Sequence, residues 1–184
     1  AFDENIQIPA KILAYRIPSM KTRESRVLDM ISTYLSSGES SVLYKKLVDD
    51  KKMALQVFAS NNSQEDYGIY LIGGLPLGET SLSDMTLEID EEIDKIKSAL
   101  ISERDFQKLQ NIFESQYVSS NSTISGIANS LARYHMLYEN VNLINSEIEI
   151  YKSITRKEIQ KVANKYLNKN QRLELKYLPK KNNQ

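Results

Sequence analysis

The chain has 184 residues, enough for one domain with a real core. Lys+Arg and Asp+Glu are 24 each, so the formal net charge is zero and no strongly basic surface marks a nucleic-acid partner. There is no cysteine and a single histidine, His135. This excludes disulfides, thiolate zinc sites, cysteine nucleophiles, histidine relays and any zinc site needing two imidazoles. No apolar run approaches the roughly 18 residues of a membrane span. The start, "AFDENIQIPAKILAYRI", lacks the pattern of a signal peptide and begins abruptly, as in a fragment of a longer protein.

The first predicted element is a strand in "AKILAYRIPS", ended or edged by Pro18. In "KTRESRVLDMISTYLSSG", Val27, Met30, Ile31, Tyr34 and Leu35 form one helical stripe. Gly38 is placed to close that helix in the left-handed conformation. The next residues, "SGESSVLYKKLV", predict an immediate restart, with Ser40 or Ser41 accepting from the new helix's free amides. Leu43, Tyr44, Leu47 and Val48 share one side of it.

"MALQVFASN" and "YGIYLIGGLP" are short, nearly alternating and rich in β-branched and aromatic residues. Joined by "NSQED", they predict a β-hairpin. Gly73, Gly74, Pro76 and Gly78 are expected to end the sheet. "GGLPLG" lacks the spacing and the Lys-Ser/Thr of a phosphate loop.

From Ser81 to Leu167 the pattern is helical throughout. Leu82, Met85, Ile89, Ile93, Ile96 and Leu100 make a long stripe. "SERD" at Ser102–Asp105 begins a helix carrying Phe106, Leu109, Ile112, Phe113 and Tyr117. "SSNST" interrupts it, and "ISGIANSLARYHMLY" forms another. "TRKE" at Thr155–Glu158 is a capping box opening a helix with Ile159, Val162, Ala163, Tyr166 and Leu167. "RLELKYLP" alternates as a last strand, and "KKNNQ" is a loose polar tail. The order predicts an α+β fold: about four mainly antiparallel strands with helices on one face, in a single domain over 1–184.

Order and wording together resemble the C-terminal, metal-free half of an insulinase/pitrilysin-type zinc metallopeptidase, of the inverzincin type with the fold of the mitochondrial processing peptidase. "LAYRIPS", "LSSGESSVLYKKLVDDKKMALQVFAS", "DYGIYLIGGLPLG" and "ITRKEIQKVANKYLNKNQRLELKYLP" carry that resemblance over nearly the whole chain. It implies two homologous halves closing around a peptide. One half bears H-x-x-E-H, whose histidines and a distant glutamate hold zinc while the motif's glutamate activates water.

No such motif occurs here. "ARYHMLYEN" offers one imidazole and one carboxylate, His135 and Glu139, where a catalytic zinc needs three ligands. No catalytic or metal-binding residue is therefore expected, and no cofactor in this chain; zinc is expected in the partner half. The resemblance also implies an arginine and, seven residues on, a tyrosine that hold the peptide carbonyl or oxyanion. By position these fall on Val48 and Leu55, so the pair is absent and the substrate-binding residues are unassigned. Arg16, Arg23 and Arg26 lie too early, and Tyr44 falls on the preceding turn.

Other clusters read as structural. In "EIDEEIDK", Asp90, Glu91 and Asp94 oppose the isoleucine stripe, as on a solvated helix face. Tyr15, Tyr70 and Tyr177 on strands, and Tyr134 and Tyr138 on a helix, suit half-buried packing with the hydroxyl at a wet edge. The serines lack a triad partner.

The reading that follows is a non-catalytic half closing a peptide-binding chamber against a zinc-bearing half, in cis or in trans. Its partners are that half, an unfolded peptide in the assembled form, and possible copies of itself. The alternative is a non-proteolytic scaffold or core subunit of a larger complex. The implied compartment is the bacterial periplasm or cell envelope.

Overall fold

The computed structural model describes residues 1–180. Its elements run β1 (Phe2–Asp3), β2 (Ala10–Pro18), α1 (Arg23–Ser36), a π-helical segment (Tyr44–Asp50), β3 (Ala54–Ser63), β4 (Tyr67–Pro76), α2 (Leu82–Ser98), α3 (Glu103–Ser120), α4 (Ile124–Tyr138), α5 (Leu143–Lys152), α6 (Arg156–Tyr166) and β5 (Arg172–Pro179). The sheet order is β1-β5-β2-β4-β3. Every pairing is antiparallel except β1 with β5. The fold is thus α+β as expected, with five strands in place of four. The extra strand is two residues long and carries no pattern of its own. The expected polar tail, apart from Lys180, lies outside the described residues.

Alternation decides how the sheet is used. Along β2, Leu13, Tyr15 and Ile17 are buried; Ile12 and Ala14 between them are only partly covered, and Arg16 is exposed. On β4, Tyr70 and Ile72 are buried on the same side. Helices α1, α2 and α6 cover that side with Leu28, Met30, Ile31, Met85, Ile89, Ile93, Ile159 and Val162. Helices α3 to α5 form an outer tier against α1, where Phe113 stacks on Tyr151 with ring centroids 4.5 Å apart.

The helix corner differs from expectation in its chemistry. Gly38 does adopt a left-handed φ of 75° behind α1. Ser41 does not cap the next helix; its hydroxyl donates to the Gly38 carbonyl at 2.7 Å. The Ser40 hydroxyl accepts from the Lys108 ammonium. The restarted helix is π-wound, with Lys51 N–H donating to Lys46 O at 3.0 Å. Leu43 and Leu47 still point into the core.

Gly73 and Gly74 do not end the sheet; β4 runs through both to Pro76. A Cβ on Gly73 would lie 2.1 Å from the Lys11 carbonyl oxygen, so the glycine permits close strand approach rather than strand exit. The helical stretch after Ser81 divides into five helices, with α5 starting after the break at Glu139, whose φ is 55°. The Thr155–Glu158 capping box is complete.

Two expectations about polar side chains are overturned. Asp90 is buried, not on a solvated face, whereas Glu91 and Asp94 are exposed as expected; the neighbouring Glu92 is buried too. Arg172 of β5 takes both Asp90 oxygens, one at 3.1 Å, and Lys46 lies 3.0 Å from Glu92. Helix periodicity places a carboxylate but does not reveal the cation that another element brings to it. Tyr15 and Tyr70 are fully buried, their hydroxyls bonded to Arg172 and Ser32.

Arg26 of α1 and Glu147 of α5 form a buried bidentate pair at 2.8 and 3.0 Å. Burial opposes the Arg26 charge, but the Glu147 carboxylate outweighs it and holds the pKa above its usual value. Replacing Arg26 by Ala strands Glu147 and should cost about 3 kcal/mol in urea unfolding. Replacing both residues by Leu should recover most of that loss; no recovery would show that the pair is not what couples the tiers.

Glu158 caps α6 and also accepts from Arg23 Nε at 2.6 Å. Chiefly through Arg23, its pKa falls from 4.5 to about 2. A folded-state pKa below the unfolded one stabilises the protein above the unfolded value, and the gain is lost as pH drops through the folded one. Stability should therefore fall between pH 4.5 and about 2, and Glu158→Gln should flatten that part of a melting-temperature profile.

Candidate functional site

The face of the sheet turned away from the helices is a chemically distinct surface. Antiparallel register puts Ile12 opposite Leu175, Ala14 opposite both Leu173 and Leu71, and Arg16 opposite Ile69. Residues directly opposite in such a pair share a face. Leu173 is 69% exposed, Tyr67 61% and Ile69 43%. The result is an apolar strip across β5, β2 and β4. At its β4 end the Arg16 guanidinium lies 4.2 Å over the Tyr67 ring. Arg16 makes no ion pair among the described residues. The strip carries no nucleophile and no general base. It can bury apolar side chains and offer one guanidinium to a carbonyl or carboxylate.

The two positions singled out by spacing lie at one end of the hairpin. Val48 is in the π-helical segment, half-buried against the core. Leu55 is 47% exposed on β3. The ladder shifts register between Ala54 and Gln56, so Leu55 is the extra residue of a bulge. The π-helical segment and β3 are in contact, but neither side chain can donate a hydrogen bond. Tyr44 packs partly against the core.

The other arginines are spent elsewhere. Arg23 binds Glu158 and Ser153, and Arg26 binds Glu147. Arg16 alone of the three reaches the open face; the alternation of β2 was the signal that could have placed it there. Tyr67 was equally unmarked, because the hairpin turn obscured its register.

His135 and Glu139 do not make a site. Both are exposed. The Glu139 backbone N–H donates to the His135 carbonyl at 3.2 Å, while its side chain accepts from Lys21 Nζ at 3.2 Å. Among the described residues no three His, Cys, Asp or Glu side chains converge as metal ligands. The donor set does not fit a catalytic zinc ion. No described helix is long and apolar enough to cross a membrane.

The sequence profile of the peptidase M16 inactive domain matches residues 2–113. The zinc protease PqqE of Helicobacter pylori is 26% identical over 156 residues, which cover 84% of this chain and 34% of that protein. The chain therefore spans about a third of that relative's length. The crystal structure of a protease from Helicobacter pylori superimposes with a TM-score of 0.90 at 22% identity, covering 97% of this chain and 43% of that one. The periplasmic protease PqqL from Escherichia coli has the same fold at a TM-score of 0.73 and 14% identity, covering 97% and 20%. Because the inactive-domain profile covers more than half of its length, this chain belongs to the peptidase M16 inactive domain family.

Proposed function

We propose that the chain is the non-catalytic unit of a zinc metallopeptidase, closing a peptide-binding chamber against a zinc-bearing unit supplied in cis or in trans. The open sheet face carries this reading. It is apolar, continuous over three strands and unclaimed by the chain's own helices. An exposed strip of this kind suits a partner or an unfolded peptide better than water. The partner unit supplies the metal and the base. This chain supplies a wall that excludes water and contacts apolar side chains. The same strip would support self-association when no partner is present. A periplasmic or envelope setting is consistent with the fold shared with PqqL.

Purified alone, the protein should hydrolyse no peptide and hold no stoichiometric zinc. Mixed with a zinc-bearing unit, it should complete a peptidase that a chelator silences. An assembled complex without zinc or hydrolysis would instead favour the scaffold role. Ile69→Asp combined with Leu173→Asp places two charges on the strip. Because desolvating a charge is costly, KM should rise or association weaken by about tenfold or more, with the far-UV spectrum unchanged.

The wall is passive at the chemical step. Loss of one oxyanion donor usually costs about 100-fold or more in kcat. Leu55→Ala should change kcat of the assembled enzyme less than about twofold, since no such donor is removed. A loss near 100-fold would give this position a role in the transition state.

A further inference from the structure

A cavity of about 240 Å³ lies among α1, α3, α4 and α5, in the outer helical tier and apart from the sheet's open face. This volume is roughly eight water molecules' share of liquid. Both charged and aromatic side chains line it. Most of the charge is already used. Arg26 and Glu147 close on each other. Asp29 accepts from Asn61 Nδ2 and from the Tyr151 hydroxyl, each at 2.9 Å. Burial pushes the Asp29 carboxyl above its usual pKa.

Four lining groups remain without a hydrogen bond among the described residues: the Arg133 guanidinium, the Gln116 amide and the hydroxyls of Tyr134 and Tyr138. All four can donate. Tyr134 is only 9% exposed. Two side-chain atoms among the described residues are fully enclosed and without a hydrogen bond, Asn121 Oδ1 and Glu88 Oε2, the latter 2.9 Å from Lys46 Nζ. Tyr134 lines the cavity, and its hydroxyl, unlike those two atoms, is not enclosed. A hydroxyl on a largely buried residue, left without a partner in the folded chain, is one that a ligand can satisfy. Burial pushes its pKa up to about 12, so it stays a protonated donor at neutral pH.

We propose that this cavity binds a small carboxylate, held by Arg133 and the Tyr134 hydroxyl, with its apolar body against Phe113, Tyr138 and Ile148. The guanidinium fork matches a carboxylate, and the hydroxyl adds a second donor. A dianion such as phosphate is disfavoured, because Asp29 and Glu147 stand in the same wall. The carboxylate could belong to a free organic acid or to the C-terminus of a short peptide. The site is independent of the chamber reading, since it uses neither the sheet nor a metal.

The test titrates the full chain with phenylacetate, phenylacetamide, glycyl-phenylalanine and its C-terminal amide, read by calorimetry and by amide chemical shifts. At least one of the two free acids should bind saturably at one site. Each amide should bind about tenfold more weakly, the cost of a lost charge-assisted hydrogen bond. Arg133→Ala and Tyr134→Phe should each weaken the acid's binding, and Arg104→Ala, on the outer side of α3, should not. Binding of phenylacetate identifies a free acid as the source, and binding of the dipeptide alone identifies a peptide end. Equal affinity for acid and amide, no effect of Arg133→Ala, or no saturable binding at millimolar concentration would overturn the proposal.

Discussion

Strand β2 lies between β5 and β4, and only its odd-numbered side chains are taken up by the helices. That constraint organises the molecule. Leu13, Tyr15 and Ile17 anchor α1, α2 and α6 to one side, and the even positions are left facing outward. A shift of one residue would bury Arg16 and expose Tyr15. Gly73 serves the same constraint, because only a residue without a side chain lets β4 approach the Lys11 carbonyl so closely. Burial of one face and availability of the other are therefore a single choice, made in β2.

Charge inside the molecule follows a second rule: every buried ion is met by a residue distant in sequence. Lys11 bonds Glu174 at 2.5 Å, Arg172 spans Asp90 and Glu174, and Arg26 takes Glu147. Lys11–Glu174 joins β2 to β5, Arg172–Asp90 joins β5 to α2 and Arg26–Glu147 joins α1 to α5, so these pairs fix the elements' relative position. Pairs of this kind contribute little net stability beyond what apolar packing would supply, but losing one member is costly. Their value here is in geometry. Arg26 and Glu147, which join α1 to α5, both line the cavity between those helices.

Local signals carried much of the fold. The stripe Val27, Met30, Ile31, Leu35, the glycine at position 38, the capping box at Thr155 and the hairpin around Gln64–Asp66 were all legible, because each rests on neighbours within a few residues. What failed was non-local. Asp90 looked solvated because Arg172, its partner, is 82 residues away. The two-residue β1 shows only when β5 is beside it. That this chain cannot build a zinc site on two imidazoles could be read from composition, which holds one histidine. The apolar strip could not, because it is assembled from alternate residues of three strands whose register the sequence does not state.

Strand β1 is short, but it sets where the chain enters the domain. The Ala1 nitrogen donates to the Lys176 carbonyl at 2.9 Å, and Lys180 N–H donates to the Asp3 carbonyl at 2.8 Å. Entry and exit therefore sit side by side on one edge of the sheet. A polypeptide passing through this domain would come in and go out by the same door, like a plug-in cassette.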